Sequence, residues 1–264
     1  MTTVDLTARY GMPESVKVEG RGAIRIITLN RPETYNSVIE EMHHGLMLLW
    51  KRIADDPQAR AVVITGAGKA FSAGGDFSMF EKIMDQPEVV RSEVEDGRTL
   101  VLEILDFPLP LVAAVNGAAV GLGCAIAGLS DLVVMSEKAY LRDPHVAVGL
   151  VAADGGSLAW PYMMSMLRAK EHILFGTKIL AAEALELGLA NRVVPAEELM
   201  STALELAERL AALPPQAVQV TKKAMNLHLK AVTDPVLDYA IEGEIASFAT
   251  PEFTEIVQTF NQRS

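Results

Sequence analysis

Three short stretches without a polar break constrain this chain more than any other feature: Ala61 to Thr65 (AVVIT), Val112 to Val115 (VAAV) and Asp131 to Met135 (DLVVM). A strand apolar at every position, rather than at alternate ones, is buried on both faces. Between these strands lie segments of helical character. Ile39 to Ile53 places Met42, Leu46, Leu49, Trp50 and Ile53 on one face, the spacing of an amphipathic helix, and Asp55-Asp56-Pro57 ends it. A Gly-rich helical segment follows Asn116-Gly117. Val16-Lys17-Val18 and Ile24 to Leu29 read as two strands joined by the Gly20-Arg21-Gly22 turn. Strands alternating with helices predict an α/β fold with right-handed crossovers and a mostly parallel sheet.

Beyond Arg192-Val193-Val194-Pro195 the pattern becomes helical only. Glu197–Leu213, Gln216–Leu229, Pro235–Phe248 and Glu252–Phe260 read as four amphipathic helices. A tail this long must bury its apolar faces on the core, on another subunit, or on both. The chain of 264 residues, half of them hydrophobic, is large enough for one substantial core. Its formal net charge of −11 offers no electrostatic footprint for nucleic acid or an anionic membrane. With Cys124 as the single cysteine, neither an intramolecular disulfide nor a Cys-based zinc cluster is possible, and no metal site is expected. The first eleven residues lack the apolar centre of a secretory signal, and no apolar run has bilayer-spanning length. A cytoplasmic protein is expected.

Two loops carry candidate chemistry. Gly66-Ala67-Gly68-Lys69-Ala70-Phe71-Ser72-Ala73-Gly74-Gly75-Asp76-Phe77 follows the AVVIT strand. It is no phosphate-binding P-loop, because Lys69 precedes Ala70 rather than Ser or Thr. It is a run of small residues that lets backbone approach a ligand. The second loop, Asn116-Gly117-Ala118-Ala119-Val120-Gly121-Leu122-Gly123-Cys124-Ala125, exposes helix N-terminal N–H groups, which stabilise negative charge.

Taken together and in order, KAFSAGGDFSMF, AAVNGAAVGLGCAIAGLSDLVVMSEKA and GLANRVVP resemble the crotonase (enoyl-CoA hydratase/isomerase) superfamily, over about Val16 to Phe260. The resemblance implies a spiral core of repeated ββα units over residues 1–198. It also implies a C-terminal helical region over 199–264 that builds a homotrimer or a dimer of trimers. The substrate implied is an acyl-CoA, with coenzyme A as part of the thioester and no separate bound cofactor. The amides of Ala73 and Leu122 are then expected to form an oxyanion hole for the thioester carbonyl, each donor worth about 3 kcal/mol of barrier. Substrate contacts are expected along Arg31, Asn36, Ser37, Lys69, Ala73, Gly74, Gly75, Asp76, Gly121 and Leu122, with Lys222, Lys223 and Arg263 as further candidates for phosphate or adenine.

The chain departs from the hydratase pattern where protons move. The two family glutamates fall at Ala125 and at His145 (in Leu141-Arg142-Asp143-Pro144-His145), so the two-carboxylate mechanism is absent. His145 with Asp154 is the expected replacement, since histidine titrates near neutrality. The competing roles are a first-turn helix residue for His145 and an N-cap for Asp154. Glu244 reads as a solvated helix residue, with an active-site role as the alternative. His43, His44, His172 and His228 read as surface or packing residues, and Met79, Met84, Met163, Met164 and Met166 as adaptable pocket walls.

The leading expectation is an enzyme of the enoyl-CoA hydratase/isomerase type that stabilises a thioester enolate. A beta-diketone hydrolase acting by retro-Claisen carbon–carbon cleavage is the alternative. It rests on similarity of the Asp-Pro-His…Ala-Asp-Gly-Gly…Trp-Pro arrangement to that branch. A non-catalytic acyl-CoA binder is the third reading.

Overall fold

The computed structural model describes residues 2–262, excepting the Asn261 side chain; Arg263 lies outside the described residues. The strands are β1 (Val4–Asp5), β2 (Val16–Arg21), β3 (Ile24–Leu29), β4 (Ala61–Gly66), β5 (Ala70–Ser72), β6 (Leu111–Val115), β7 (Ala118–Val120), β8 (Leu132–Ser136), β9 (Tyr140–Arg142), β10 (Ile179–Leu180) and β11 (Arg192–Val194). The helices are α1 (Glu40–Ala54), α2 (Phe77–Ile83), α3 (Pro87–Asp106), α4 (Leu122–Leu129), α5 (Gly156–Met163), α6 (Met166–Phe175), α7 (Ala181–Leu187), α8 (Leu199–Ala211), α9 (Pro215–Ser247) and α10 (Pro251–Asn261).

Among the described residues the strands form two sheets, ordered β1-β2-β3-β4-β6-β8-β11 and β10-β9-β7-β5. From β3 to β11 the larger sheet is parallel. Each of three successive units contributes one strand to each sheet and then a helix: β4-β5-α2, β6-β7-α4 and β8-β9 followed by α5. The expected ββα spiral is thus present. The unbroken apolar strands are explained by their two faces. Val62, Ile64, Ala113, Val115, Val133 and Met135 face a core containing Trp50, Phe71 and Trp160. Val63, Val112, Ala114 and Val134 meet Leu199, Ala203, Leu204, Leu206 and Ala207 of α8. Although α8 begins just past residue 198, it covers the spiral's own sheet.

One expectation about the tail is corrected. The predicted break between Leu229 and Pro235 does not occur, and α9 runs unbroken from Pro215 to Ser247 with Pro235 inside it. An interior proline costs a helix about 3 kcal/mol. Packing offsets this: Leu237 is fully buried, and Val232 and Val236 lie against the core. The Thr233 hydroxyl donates to the Leu229 carbonyl at 2.9 Å.

A buried ion pair fixes the start of the sheet. Arg25 and Asp56, each with a side chain 2% exposed, meet at 2.7 Å, and Tyr10 donates its hydroxyl to the same carboxylate. Burial raises the Asp56 pKa, but hydrogen bonds from Tyr10 and Arg25 outweigh it and hold the carboxyl at about 2. Asp56→Ala leaves the Arg25 charge uncompensated, and urea denaturation should show a loss of about 3–5 kcal/mol. Because the folded pKa is depressed, the Asp56 contribution is present above the unfolded value of 3.8 and is lost as pH falls toward about 2. The deficit of the variant should therefore shrink in that window.

Candidate active site

Strands β5, β7 and β9 lie side by side and parallel, with Ser72 opposite Ala119 and Val120 opposite Arg142. Their C-terminal ends deliver three loops to one place: Ala73–Gly75, Gly121–Leu122 and Asp143–His145. Glycine is required at the meeting point. Gly121 has φ +51°, and a Cβ there would lie 3.6 Å from the Gly74 Cα, 3.8 Å from His145 Cε1 and 4.0 Å from Asp154 Oδ2.

The first loop is locked by its backbone. Ala73 N–H donates to the Tyr35 carbonyl at 2.9 Å. Val38 N–H donates to the Gly74 carbonyl and Asp76 N–H to the Val38 carbonyl, forming a parallel bridge between Val38 and Gly75. In such a bridge the flanked residue turns its own N–H away. The Gly75 amide therefore has no backbone partner among the described residues, and Gly75 lines the central cavity. The expected donor at Ala73 is corrected on this ground: its proton is already bonded, and the unpaired amide is two residues on.

The Leu122 amide lies at a helix start. Leu122 is the first residue of α4, and the helix ladder starts with Ala125 N–H donating to the Gly121 carbonyl. The Leu122 N–H is thus one of the unpaired donors at a helix N-terminus, and the Leu122 side chain lines the same cavity.

That cavity, of about 80 Å³, is also lined by apolar side chains that include Met79, Phe80, Ile83 and Phe248, and by five ionisable residues: His43, Glu93, His145, Asp154 and Glu244. His145 is held between two carboxylates, with Nδ1 2.6 Å from Asp143 Oδ1 and Nε2 3.1 Å from Asp154 Oδ2. Burial alone would depress its pKa, but the two carboxylates raise it well above the ordinary value. Burial likewise raises Asp154, yet the His145 charge and hydrogen bond, with His43 nearby, leave it below its usual value. Glu244 goes the other way: burial, then repulsion by Asp154, pushes its carboxyl up to about 8. At neutral pH the site thus holds an imidazolium between two carboxylates beside a protonated glutamic acid.

The competing structural roles are not taken by Asp154 or Glu244. The N-cap of α5 is Gly155, with no side-chain cap bond, so the Asp154 carboxylate is directed to His145. Glu244, read as solvated, is 7% exposed and faces the cavity. His145 does precede a short 3-10 turn, Val146–Val148, without capping it through its side chain. His145, Asp154 and Glu244 also present ligand atoms within 4.8 Å of one another. Both His145 nitrogens are already committed to carboxylates.

Several expected ligand contacts turn out to hold loops together. Asn36, fully buried with φ +56°, donates to the carbonyls of Ala67, Ala70 and Phe71 and accepts from the Arg31 N–H. Ser37 donates to Asp76, Arg31 binds the Ser37 carbonyl and hydroxyl, and Asp76 caps α2 through the Ser78 N–H. Lys222 is buried on Asp131 and the Leu109 carbonyl, which removes it as a phosphate partner. Lys69 and Lys223 remain exposed. Of the five methionines expected near pocket walls, Met79 is the one that lines this cavity. Ala125 is buried and chemically silent. His43, read as a surface or packing residue, and Glu93, which sequence reasoning passed over, face the cavity, whereas His44 and His228 are exposed and His172 bonds Thr177.

The enoyl-CoA hydratase/isomerase family model matches residues 19–262. The chain belongs to the enoyl-CoA hydratase/isomerase family. Among its relatives in this family, a short-chain-enoyl-CoA hydratase of Clostridium acetobutylicum is 32% identical, with 94% of this chain and 95% of the relative covered. An enoyl-CoA hydratase/isomerase structure from Mycobacterium paratuberculosis is similar at 50% identity and TM-score 0.92, covering 95% of this chain and all of that one. A monofunctional enoyl-CoA isomerase of M. smegmatis is 30% identical with TM-score 0.69, covering 83% and 95%. The family thus includes hydratases and isomerases, and the crotonase fold read from the loops is the one observed.

Glu244 gives a test of these electrostatics. Its folded pKa lies above the unfolded value of 4.5, so its stability contribution is full below 4.5 and is lost as pH rises through about 8. Glu244→Gln has no such titration. Urea denaturation should show the variant gaining on the parent steadily between pH 5 and pH 8.5; a constant difference would contradict the elevated pKa.

Proposed function

We propose that this enoyl-CoA hydratase/isomerase family member transforms an acyl-CoA thioester through an enolate. The Gly75 and Leu122 amides stabilise the oxyanion, the Asp154 carboxylate, held in place by the protonated His145, accepts the proton, and Glu244 donates one. The observation that carries the reading is convergence: two unpaired backbone donors and an acid–base cluster line a single cavity. Removing a proton alpha to a thioester moves the electron pair onto the carbonyl oxygen, where fixed amides act with no reorganisation. Asp143 orients the His145 ring from behind, and the protonated Glu244 returns a proton to carbon, which suits a double-bond shift. Lys69, exposed on the β4–β5 loop, is the cation best placed in the matching motifs for the CoA phosphates, with Arg31 holding the neighbouring Ser37–Asp76 unit. The protein is read as cytoplasmic; no described helix is long and apolar enough to cross a membrane.

Carbon–carbon hydrolysis of a beta-diketone is the second reading, favoured by one observation. The Asp154 carboxylate, anchored on the His145 imidazolium, faces the cavity as the acceptor for a proton from water, and a neutral acid stands ready for the enolate carbon. Both readings use the same oxyanion donors. Exposed apolar side chains on α6 (Leu167, Leu174, Phe175) and on α9 (Met225, Leu227, Tyr239) supply two faces for further copies of the chain. They support a homotrimer or a dimer of trimers, and sedimentation equilibrium should give a multiple of three chain masses.

An enoyl-CoA panel and a beta-diketone panel separate the two chemistries by product. In the productive reaction, kcat/KM should fall as pH rises through about 8, where Glu244 loses its proton. Glu244→Gln should lower kcat by about 10²–10⁴-fold and abolish that alkaline limb. Asp154→Asn should lower kcat comparably, and unchanged turnover in it would sink the proton-acceptor role. No turnover on either panel would leave an acyl-CoA binder.

A further inference from the structure

One polar feature of the cavity has no part in the enolate chemistry. His43 of α1 and Glu93 of α3 both line it, with His43 Nδ1 3.5 Å from Glu93 Oε2 and side chains 11% and 15% exposed. They adjoin the acid–base cluster. His43 acts on the Asp154 charge, and Gly97, one turn along α3 from Glu93, carries its absent Cβ position 3.9 Å from Asp154 Oδ1. The remaining wall is apolar: Met79, Phe80, Ile83, Val94, Leu150 and Phe248.

A plain alkyl chain filling that space would strip water from His43 and Glu93 and return nothing. A buried polar group left without a partner loses its hydration and gains nothing in exchange. A ligand that carries an uncharged oxygen at this point avoids the cost. With Nδ1 turned to Glu93, the other ring nitrogen accepts from a hydroxyl when neutral and donates to a carbonyl when protonated. A carboxylate would face Glu93 and Asp154 and be repelled. We infer that the His43–Glu93 pair selects substrates whose acyl group bears a second, uncharged oxygen, a hydroxyl or carbonyl remote from the reacting carbonyl. This rests on the proposed reading of the cavity as the place where the acyl group is transformed.

The test compares two acyl-CoA thioesters of equal chain length, one plain and one carrying a keto or hydroxyl oxygen, on the parent enzyme and on His43→Phe. The parent should prefer the oxygenated compound at least 10-fold in kcat/KM. His43→Phe should lower that value at least 10-fold, mostly through KM, and raise it for the plain thioester. Comparing the keto and hydroxyl arms shows which oxygen is read. Equal losses on both substrates, or no preference in the parent, would overturn the proposal. Should no thioester turn over, the acyl-CoA reading fails separately. Calorimetric binding of a cyclic diketone against the monoketone of the same skeleton then decides: discrimination lost in His43→Phe supports the pair's role, and discrimination retained overturns it. If His43→Phe does not fold, Glu93→Gln should weaken the same preference, and an unchanged preference would count against it.

Discussion

The short parallel sheet formed by β5, β7 and β9 is the constraint on which the site depends. Each strand is three residues long, and each ends where a functional loop begins. Pairing Val120 with Arg142 and Ala119 with Ser72 sets Gly75, Leu122 and His145 abreast. The larger sheet makes this possible by burying apolar strands on both faces, so that each unit of the spiral starts from a rigid base. The unpaired backbone amides of Gly75 and Leu122 are fixed by register and by a bridge to Val38 rather than by side-chain packing, so their direction does not depend on rotamers.

Electrostatics then divides the labour among three carboxyl groups of similar intrinsic acidity. Asp143 and Asp154 share one imidazolium, whose charge holds the Asp154 carboxyl below its usual pKa. Glu244, arriving from α9, meets Asp154 without a cation of its own and holds its proton to about 8. Environment, not residue type, decides which of Asp154 and Glu244 keeps its proton. The price is stability, since a carboxyl kept neutral in the fold is one the unfolded chain ionises freely.

Much of this was legible in the sequence, for identifiable reasons. Unbroken apolar strands revealed the doubly covered sheet, and glycines at Gly74 and Gly121 marked the close approach of two loops. Leu122 was readable because a helix N-terminus leaves its amides unpaired by rule. Ala73 was not, because its bond to Tyr35 joins residues far apart in the chain. The identity of the free amide at Gly75 follows from a bridge that no local pattern encodes. Glu244 and His43 lie on amphipathic helices whose buried face is visible in sequence while its neighbours are not. Pro235 misled for a related reason: local propensity breaks a helix there, and tertiary packing of Val232, Val236 and Leu237 keeps it whole.

The sign of the cavity bears on how a reaction ends. Asp154 and Glu93 line the wall, Asp143 stands directly behind it, and two histidines answer them. A neutral carbonyl compound enters without electrostatic penalty. A new carboxylate formed in this space would face Asp154 and Glu93, which would favour its release over that of a neutral product. A product that remains neutral gains no such push, and its departure is governed by apolar contact with Phe80, Phe248 and Leu122 alone.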